Sequence, residues 1–338
     1  LSGVLSVFPA LCDAHQRMDL TNGLGVAALV IGAFLTVIAV ESGLGLQGVA
    51  YAQLAAIATF YVSSIFAARA LAGPIRISPM RISTRWLKKM FPFGLKLHIS
   101  SACGIVNRQL DKFLLTRWAG LGFVSSYEIA LRMAGNAGTL QPYLAAALLP
   151  ASSHLEAAGE GERLVAMYRK ASKYLFLVGI PPFVYLAAYR EPVMTAWLGH
   201  SEPTAARVLL ILAAGYMVNS LSNAMAFTCQ GIGRPGIQTE QSALQLAANV
   251  VLSLVLFLLI GPLGAPLGTS LALLAGAAYF AWRFHGHLGI TTLSLLRQAA
   301  LVPMLASLFG VLAAWLLTSG MAQGSRIAVS YTHLTLPT

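Results

Sequence analysis

Long, unbroken apolar runs constrain this chain more than any other feature. Nine stretches, near residues 22–40, 46–68, 91–116, 121–150, 172–189, 205–230, 238–260, 263–284 and 298–318, each hold about the 20 mostly apolar residues a helix needs to cross a bilayer. A partial run occupies 1–12. Lipid offers no partners to backbone amides and carbonyls, so such runs must satisfy themselves as helices. A β-barrel is not expected, because its strands are short and alternate polar with apolar residues, and these runs are long and continuous. The expected fold class is therefore all-α, a polytopic transmembrane helix bundle. Composition agrees: 57% of residues are hydrophobic and 10% charged, where soluble domains carry roughly 25% charged residues. Pro142, Pro150, Pro181 and Pro182 fall inside runs and predict kinks.

The loops alternate in charge. One set carries Arg17; Arg69, Arg76, Arg81, Arg85, Lys88, Lys89 and Lys96; Arg163, Arg169, Lys170 and Lys173; Arg234; and Arg283 and Arg297. The intervening set carries only Arg117, Arg190 and Arg207. The positive-inside rule places the first set in the cytoplasm, and the alternation requires every run to cross once. The basic stretch 69–90 reads as a cytoplasmic loop. It can be a hinge between two bundles, a patch touching anionic lipid, or a device that only sets topology.

Charge inside the runs is the unusual feature. "NRQLDKFLL" (Asn107 to Leu115) places Arg108, Asp111 and Lys112 within one and a half turns, although each charge at the bilayer centre costs roughly 2.5 kcal/mol or more. At 100° per residue, Lys96, Ser100, Gly104, Asn107 and Asp111 form one stripe, flanked by Arg108 and Lys112. In the next run Glu128, Arg132, Gly135 and Thr139 align, with Asn136 and Tyr143 beside them, and Glu128 and Arg132 are spaced to pair. Two later runs carry neutral stripes: Tyr216, Asn219, Ser220 and Asn223, then Gln238, Gln241, Ser242, Gln245 and Asn249. Four polar faces that lipid cannot host must either enclose water or meet in a buried network that fixes packing. A slightly cationic, amide-rich cavity suits an anionic, sugar-like ligand.

Other motifs point to ordinary structure. The net charge of +11 is spread over short loops, with no basic stripe interleaved with aromatics, so nucleic acid is not an expected partner. Cys12, Cys103 and Cys229 lie far apart and read as packing residues. His285 and His287 in "FHGH" read as surface residues, not a metal site. "GIGRPG" (Gly231 to Gly236) follows a membrane helix and contains Pro235, so it reads as a tight cytoplasmic turn and not a dinucleotide loop. No nucleophile–base constellation or phosphate loop is present, and neither a cofactor nor a metal is expected.

The pieces "RQLDKFLL", "YEIALRMAG" (Tyr127 to Gly135), "LQPYLAAALLPASSHLEAAGEGE" (Leu140 to Glu162), "WLG" (Trp197 to Gly199), "QGIGRP" (Gln230 to Pro235) and "GPLGAPLGTSLA" (Gly261 to Ala272) together resemble the polysaccharide flippase family of O-antigen and exopolysaccharide translocases. That family sits in the MOP (multidrug/oligosaccharidyl-lipid/polysaccharide) exporter superfamily with the lipid II flippase and the MATE exporters. The resemblance implies about fourteen helices in two six-helix lobes plus an extra pair. Residues 1–68 then end a truncated N-terminal lobe and 69–90 join the lobes. Residues 91–284 form the six-helix C-terminal lobe, and 285–328 the truncated extra region. "VSYTHLTLPT" (Val329 to Thr338) resembles translated sequencing-adapter read-through and is expected to be an artefact.

The resemblance also implies a function. A transporter of the bacterial inner membrane would move undecaprenyl-pyrophosphate-linked oligosaccharide outward by alternating access, for surface polysaccharide or O-antigen biosynthesis. Arg108, Lys112 and Arg132, with Asn107, Asn136 and Lys96, are the expected substrate-binding residues. Asp111 and Glu128 are expected to pair with the cations and break those pairs as the lobes rock, with a carboxylate as the switch if a proton or sodium gradient drives transport. Expected partners are the glycan lipid, membrane lipids and the polysaccharide assembly machinery, and the protein is expected to be a monomer. The alternatives are a MATE-like drug/cation antiporter, which would want a more apolar or acidic cavity, and a membrane-embedded polysaccharide polymerase or ligase. The enzyme would want a sizeable outer loop, and the longest here, about 190–204, is small. A purely structural subunit leaves the intramembrane charges without a purpose.

Overall fold

The computed structural model describes residues 5–15, 17–73 and 83–334, with side chains described up to residue 317, Lys89 excepted. Among these residues every regular element is a helix. Five segments are long and apolar enough to cross a membrane, or six if the bent pair Thr292–Ala299 and Leu301–Leu317 counts as one span. One of the five, Pro235–Leu288, is folded back on itself at the 3-10 turn Gly261–Leu263 and supplies two crossings. Straight, it would reach about 80 Å, more than twice the hydrocarbon thickness. The chain is a multi-pass membrane protein.

It divides into two compact units, Leu1–Thr84 and Arg85–Thr338. The first holds α1 (Val7–Ala14), α2 (Met18–Glu41) and α3 (Gly45–Ala72). Helices α2 and α3 meet through small residues: Ala28, Gly32 and Ala39 against Gly48, Ala52 and Ala56, all buried. A Cβ on Gly32 would come within 2.8 Å of the Ala56 Cβ. Without a hydrophobic force between helices in lipid, such close backbone approach is what holds a pair together. Leu29, Phe34 and Leu46 point outward, as lipid-facing residues should.

The second unit holds α4 (Thr84–Trp118), α5 (Leu121–Ala137), α6 (Leu140–Ala145), α7 (Leu148–Ala157), α8 (Gly161–Ala188), α9 (Arg190–Leu198), α10 (Pro203–Ser220), α11 (Asn223–Gly231), α12 (Pro235–Ile260), α13 (Gly264–Leu288), α14 (Thr292–Ala299) and α15 (Leu301–Leu334). The expected run 121–150 is thus three helices, and 205–230 is two. Pro142 and Pro150 each sit third in the helix that follows a break, where a missing N–H leaves no intrahelical bond unmade. Helix α8 continues through Pro181 and Pro182.

The expected loop 69–90 is shorter than its charges suggested. Helix α3 runs to Ala72 and α4 starts at Thr84, so Arg69, Arg85 and Lys88 lie on helix ends, where long basic side chains can reach the headgroups. Arg76 and Arg81 fall outside the described residues, as do residues 335–338 of the proposed adapter tail.

Two breaks are stitched together by one side chain. Gln141, buried beside the α5–α6 break, donates to the Leu175 carbonyl at 2.6 Å and accepts from Asn223, beside the α10–α11 break, at 3.2 Å. Its amide lies where a Cβ of Gly179 would be, so α8 needs glycine there. His285, read from sequence as a surface residue, is instead 3% exposed. It bonds Tyr168 of α8 at 2.8 Å and Thr292 of α14 at 2.7 Å, because α13 continues to Leu288 and carries this position into the core. The "GIGRPG" segment is the tight turn expected, with Gly233 at φ +73° and Pro235 opening α12.

Candidate functional site

Helices α4 and α12 are joined by a row of polar contacts with a constant sequence offset. Ser100 meets Ser242 at 2.6 Å, Asn249 donates to Asn107 at 2.9 Å, and Ser253 donates to Asp111 at 3.1 Å; each pair is 142 residues apart. A constant difference means parallel helices in register, with contacts 7 and 4 residues apart along one face. Helix α13 returns antiparallel: Ser253 lies 3.2 Å from the Ala265 carbonyl, and Thr269 lies 3.2 Å from the Asn249 side-chain oxygen.

Asp111 is the focus of this row and is fully buried. Tyr127 of α5 donates to its Oδ2 at 2.6 Å, Thr269 donates to the same oxygen, and Ser253 reaches Oδ1. The single Ser253 hydroxyl proton is shared among Asp111, Asn249 and the Ala265 carbonyl. The pocket is therefore rich in acceptor oxygens and poor in protons. No described cationic side chain pairs with Asp111. A buried carboxylate held by three hydroxyl donors and no paired cation can take up a proton or a small hard cation bound by oxygens. Asp111, Asn249, Ser253, Thr269 and the Ala265 carbonyl are the groups placed to hold one. The expectation that Asp111 pairs with Arg108, Lys112 or Arg132 is thus corrected. Its side chain points into the α4–α12–α13 contact, and theirs do not.

One residue further along each helix, the second rung faces elsewhere. Lys112 lies 2.6 Å from Glu128 Oε2, and Arg132 donates to Glu128 Oε1 at 3.0 Å. The Arg132 side chain is 76% exposed, whereas Glu128 is 26% exposed. Glu128, Arg132 and Asn136 line one wall of a cavity of about 1200 Å³ between α5, α8 and α9. Most of the rest of the lining is apolar or aromatic, including Ile129, Met133, Tyr185, Tyr189 and Trp197. Tyr185 and Tyr189 stack with their rings 6.1 Å apart.

Not every expected residue reaches this cavity. Asn107 and Ser100 are buried against α12, not on a water-filled face. Arg108 is exposed on α4 and outside the cavity lining. Lys96 lies eight residues before Gly104 and lines a separate polar pocket. Glu128, Arg132 and Asn136 are together, with Lys112 joined through Glu128. Tyr127, Ser253 and Thr269 were missed. Hydroxyls in apolar runs are common enough that only their offsets from Asp111, visible in three dimensions, single them out.

The profile of a family described as "Polysaccharide biosynthesis protein" matches residues 1–206, more than half of the chain. The chain belongs to this family. A Haloferax volcanii protein named "Probable low-salt glycan biosynthesis flippase Agl15" is 22% identical over 241 residues, 71% of this chain and 49% of its own. Among solved structures, the lipid II flippase MurJ in an inward closed conformation aligns with TM-score 0.59 at 15% identity, covering 92% of this chain and 64% of its own. A MATE crystal structure in the bent conformation aligns at TM-score 0.69 and 16% identity, covering 81% and 62%. These likenesses show the fold, a helical bundle like those of the two transporters. The chain spans about half the length of the Haloferax relative and under two thirds of either structure.

Proposed function

We propose that this member of the polysaccharide biosynthesis family is part of a flippase that carries lipid-linked oligosaccharide across the bacterial inner membrane by alternating access. The observation that carries this reading is the amphipathic cavity, a mostly apolar and aromatic lining broken by one charged spot, Glu128–Arg132, with Lys112 paired behind it through Glu128. A carrier lipid with a pyrophosphate needs both surfaces. The anion competes with Glu128 for Arg132, whose exposed side chain makes that pair cheap to exchange, and through Glu128 it reaches Lys112. The Tyr185, Tyr189 and Trp197 rings offer apolar faces with polar edges for sugars. The residues named have roles in binding and none in bond making, which favours a transporter over a polymerase or ligase. We take it to act as a monomer that hands its cargo to the polysaccharide assembly machinery.

The buried cluster supplies a means of coupling. Taking up a proton or monovalent cation at Asp111 would change the contacts that hold α4 to α12 and α13. Lys112 is the next residue on α4 and Tyr127 precedes Glu128 on α5, so a shift there reaches the cavity pairs directly. The units Leu1–Thr84 and Arg85–Thr338 are read as the end of the first lobe and the second lobe with its extra helices.

The test uses proteoliposomes holding a fluorescent polyprenyl-pyrophosphate disaccharide and a membrane-impermeant quencher. Wild type should expose inner-leaflet label, and Lys112→Ala/Arg132→Ala should not. Equal exposure of a zwitterionic phospholipid label by wild type would show unselective scrambling and end the proposal.

A further inference from the structure

A separate cavity, of about 550 Å³, lies in the second unit away from the site above, at the end that the loop charges place in the cytoplasm. Three helices build it. Helix α4 supplies Lys96, the start of α12 supplies Arg234 and Gly236, and the end of α13 supplies Trp282, Arg283 and His287. Thr239 of α12 donates to the Lys96 carbonyl at 2.9 Å, which seats α4 on the first turn of α12. The Lys96 side chain then lies against Gly236, its Nζ 3.6 Å from where a Cβ would stand.

Charge is poorly balanced there. Glu240, the one carboxylate in the lining, is engaged by Arg283 at 3.4 Å and by Tyr279 at 2.8 Å. Neither Lys96 nor Arg234 has a side-chain acceptor among the described residues, and His287 stands beside them. Lys96, Arg234 and Arg283 face one carboxylate in the lining, and Glu156 beside His287 offsets a further charge, so the concave site keeps a net positive charge. The start of α12 adds to it, since no side chain caps its first amides. Depth is marked by Trp282, which is 68% exposed and packs on Tyr279 with Arg283 over its ring. Aromatic residues of this kind sit at the headgroup level, and basic pockets between helices on the cytoplasmic side suit phosphate headgroups.

We propose that Lys96, Arg234, Arg283 and His287 bind a phosphate group at the inner membrane surface, that of an anionic phospholipid. The inference does not depend on what the large cavity carries. Trp282 reports on the site once Trp86, Trp118, Trp197 and Trp315 are changed to Phe in the full chain, reconstituted in phosphatidylcholine nanodiscs. Brominated phosphatidylglycerol should quench Trp282 more than brominated phosphatidylcholine at equal mole fraction. Lys96→Gln and Arg234→Gln should each reduce that preference, by about fivefold per cation removed, and Lys96→Arg should retain it. No preference in the parent protein, or one that survives Lys96→Gln/Arg234→Gln, overturns the proposal. Inorganic phosphate at equal ionic strength separates the sources. A preference that persists supports the lipid-borne phosphate, whereas one abolished by free phosphate overturns the lipid assignment. If the four-Phe protein misfolds, phosphatidylglycerol retained by the purified wild type and by Lys96→Gln/Arg234→Gln, counted by native mass spectrometry, decides the same question.

Discussion

Tyr127 donates to Asp111 at 2.6 Å, and the very next residues of the same two helices, Glu128 and Lys112, pair at 2.6 Å. Helices α4 and α5 are therefore tied by two adjacent rungs that face different places. The Asp111 rung is sealed against α12 and α13, and the Glu128 rung borders the large cavity. Two charged residues side by side in sequence thus have different surroundings and, in our reading, different tasks: one takes the driving ion, the other yields to the cargo.

Asp111→Asn and Asp111→Leu should separate charge from packing. Asn keeps an acceptor for Tyr127 and Thr269, so thermal stability in detergent should change little while ion-dependent transport is lost. Leu takes the acceptor from the buried Tyr127 hydroxyl, at about 1–3 kcal/mol for a group left unpaired, while Ser253 and Thr269 keep the Asn249 oxygen. Its melting temperature should fall well below that of Asn. Transport by Asp111→Asn that still follows the ion gradient would remove Asp111 from coupling.

Arg132→Gln should behave in the opposite way. Its pair with Glu128 is an exposed i,i+4 contact, worth about 0.3–0.5 kcal/mol, so stability should hold. Flipping of the pyrophosphate-linked label should drop about tenfold, as expected for the loss of one charge-assisted hydrogen bond to phosphate. Flipping at the wild-type rate, measured in the same vesicles, would show that Arg132 serves only the helix surface.

Much of the fold was legible because lipid imposes long apolar runs and loop charge records their direction. An odd number of crossings separates α4 from α12, so their parallel course follows from the alternation alone. The register does not, since nothing in either stripe says that Asn107 meets Asn249 and not Ser242. The polar stripe of α4 was correctly seen as unable to face lipid, but enclosing water and meeting another helix satisfy that requirement equally, and Ser100, Asn107 and Asp111 took the second course. The cavity was half legible. Glu128, Arg132 and Asn136 announce themselves as charge and amide in an apolar run, whereas Ile129, Met133 and Leu186 look the same whether they face lipid, protein or a cavity.

Cysteines can test the register. In a background with Cys12, Cys103 and Cys229 replaced by Ser, Ser100→Cys/Ser242→Cys should crosslink under mild oxidation, because the native oxygens are 2.6 Å apart. Single cysteines at Ser100 and Asn107 should resist aqueous thiol reagents, while one at Asn136 should react, since it lines the cavity. Rapid labelling at Asn107, read as a gel shift, would mean that the α4–α12 seam is open to water and would undo the parallel packing.

The seam between α12 and α13 depends on a glycine beside the buried carboxylate. A Cβ on Gly268 would overlap the backbone of Ser253, the residue that donates to Asp111. Gly286, on the same helix, has nothing within 4 Å of the equivalent position. Helix propensity favours alanine over glycine at both places by about 1 kcal/mol, so any difference between the two substitutions reports on packing. Gly286→Ala should leave the melting temperature unchanged or raise it. Gly268→Ala must push α13 away from α12, at about 1–3 kcal/mol for an overpacked contact. It should lower the melting temperature and, because Thr269 moves with the helix, loosen the donors around Asp111 and weaken ion-driven flipping. Should the two variants melt together and transport alike, the close approach of α12 and α13 at Ser253 would be wrong, and with it the oxygen cluster assigned to the coupling ion.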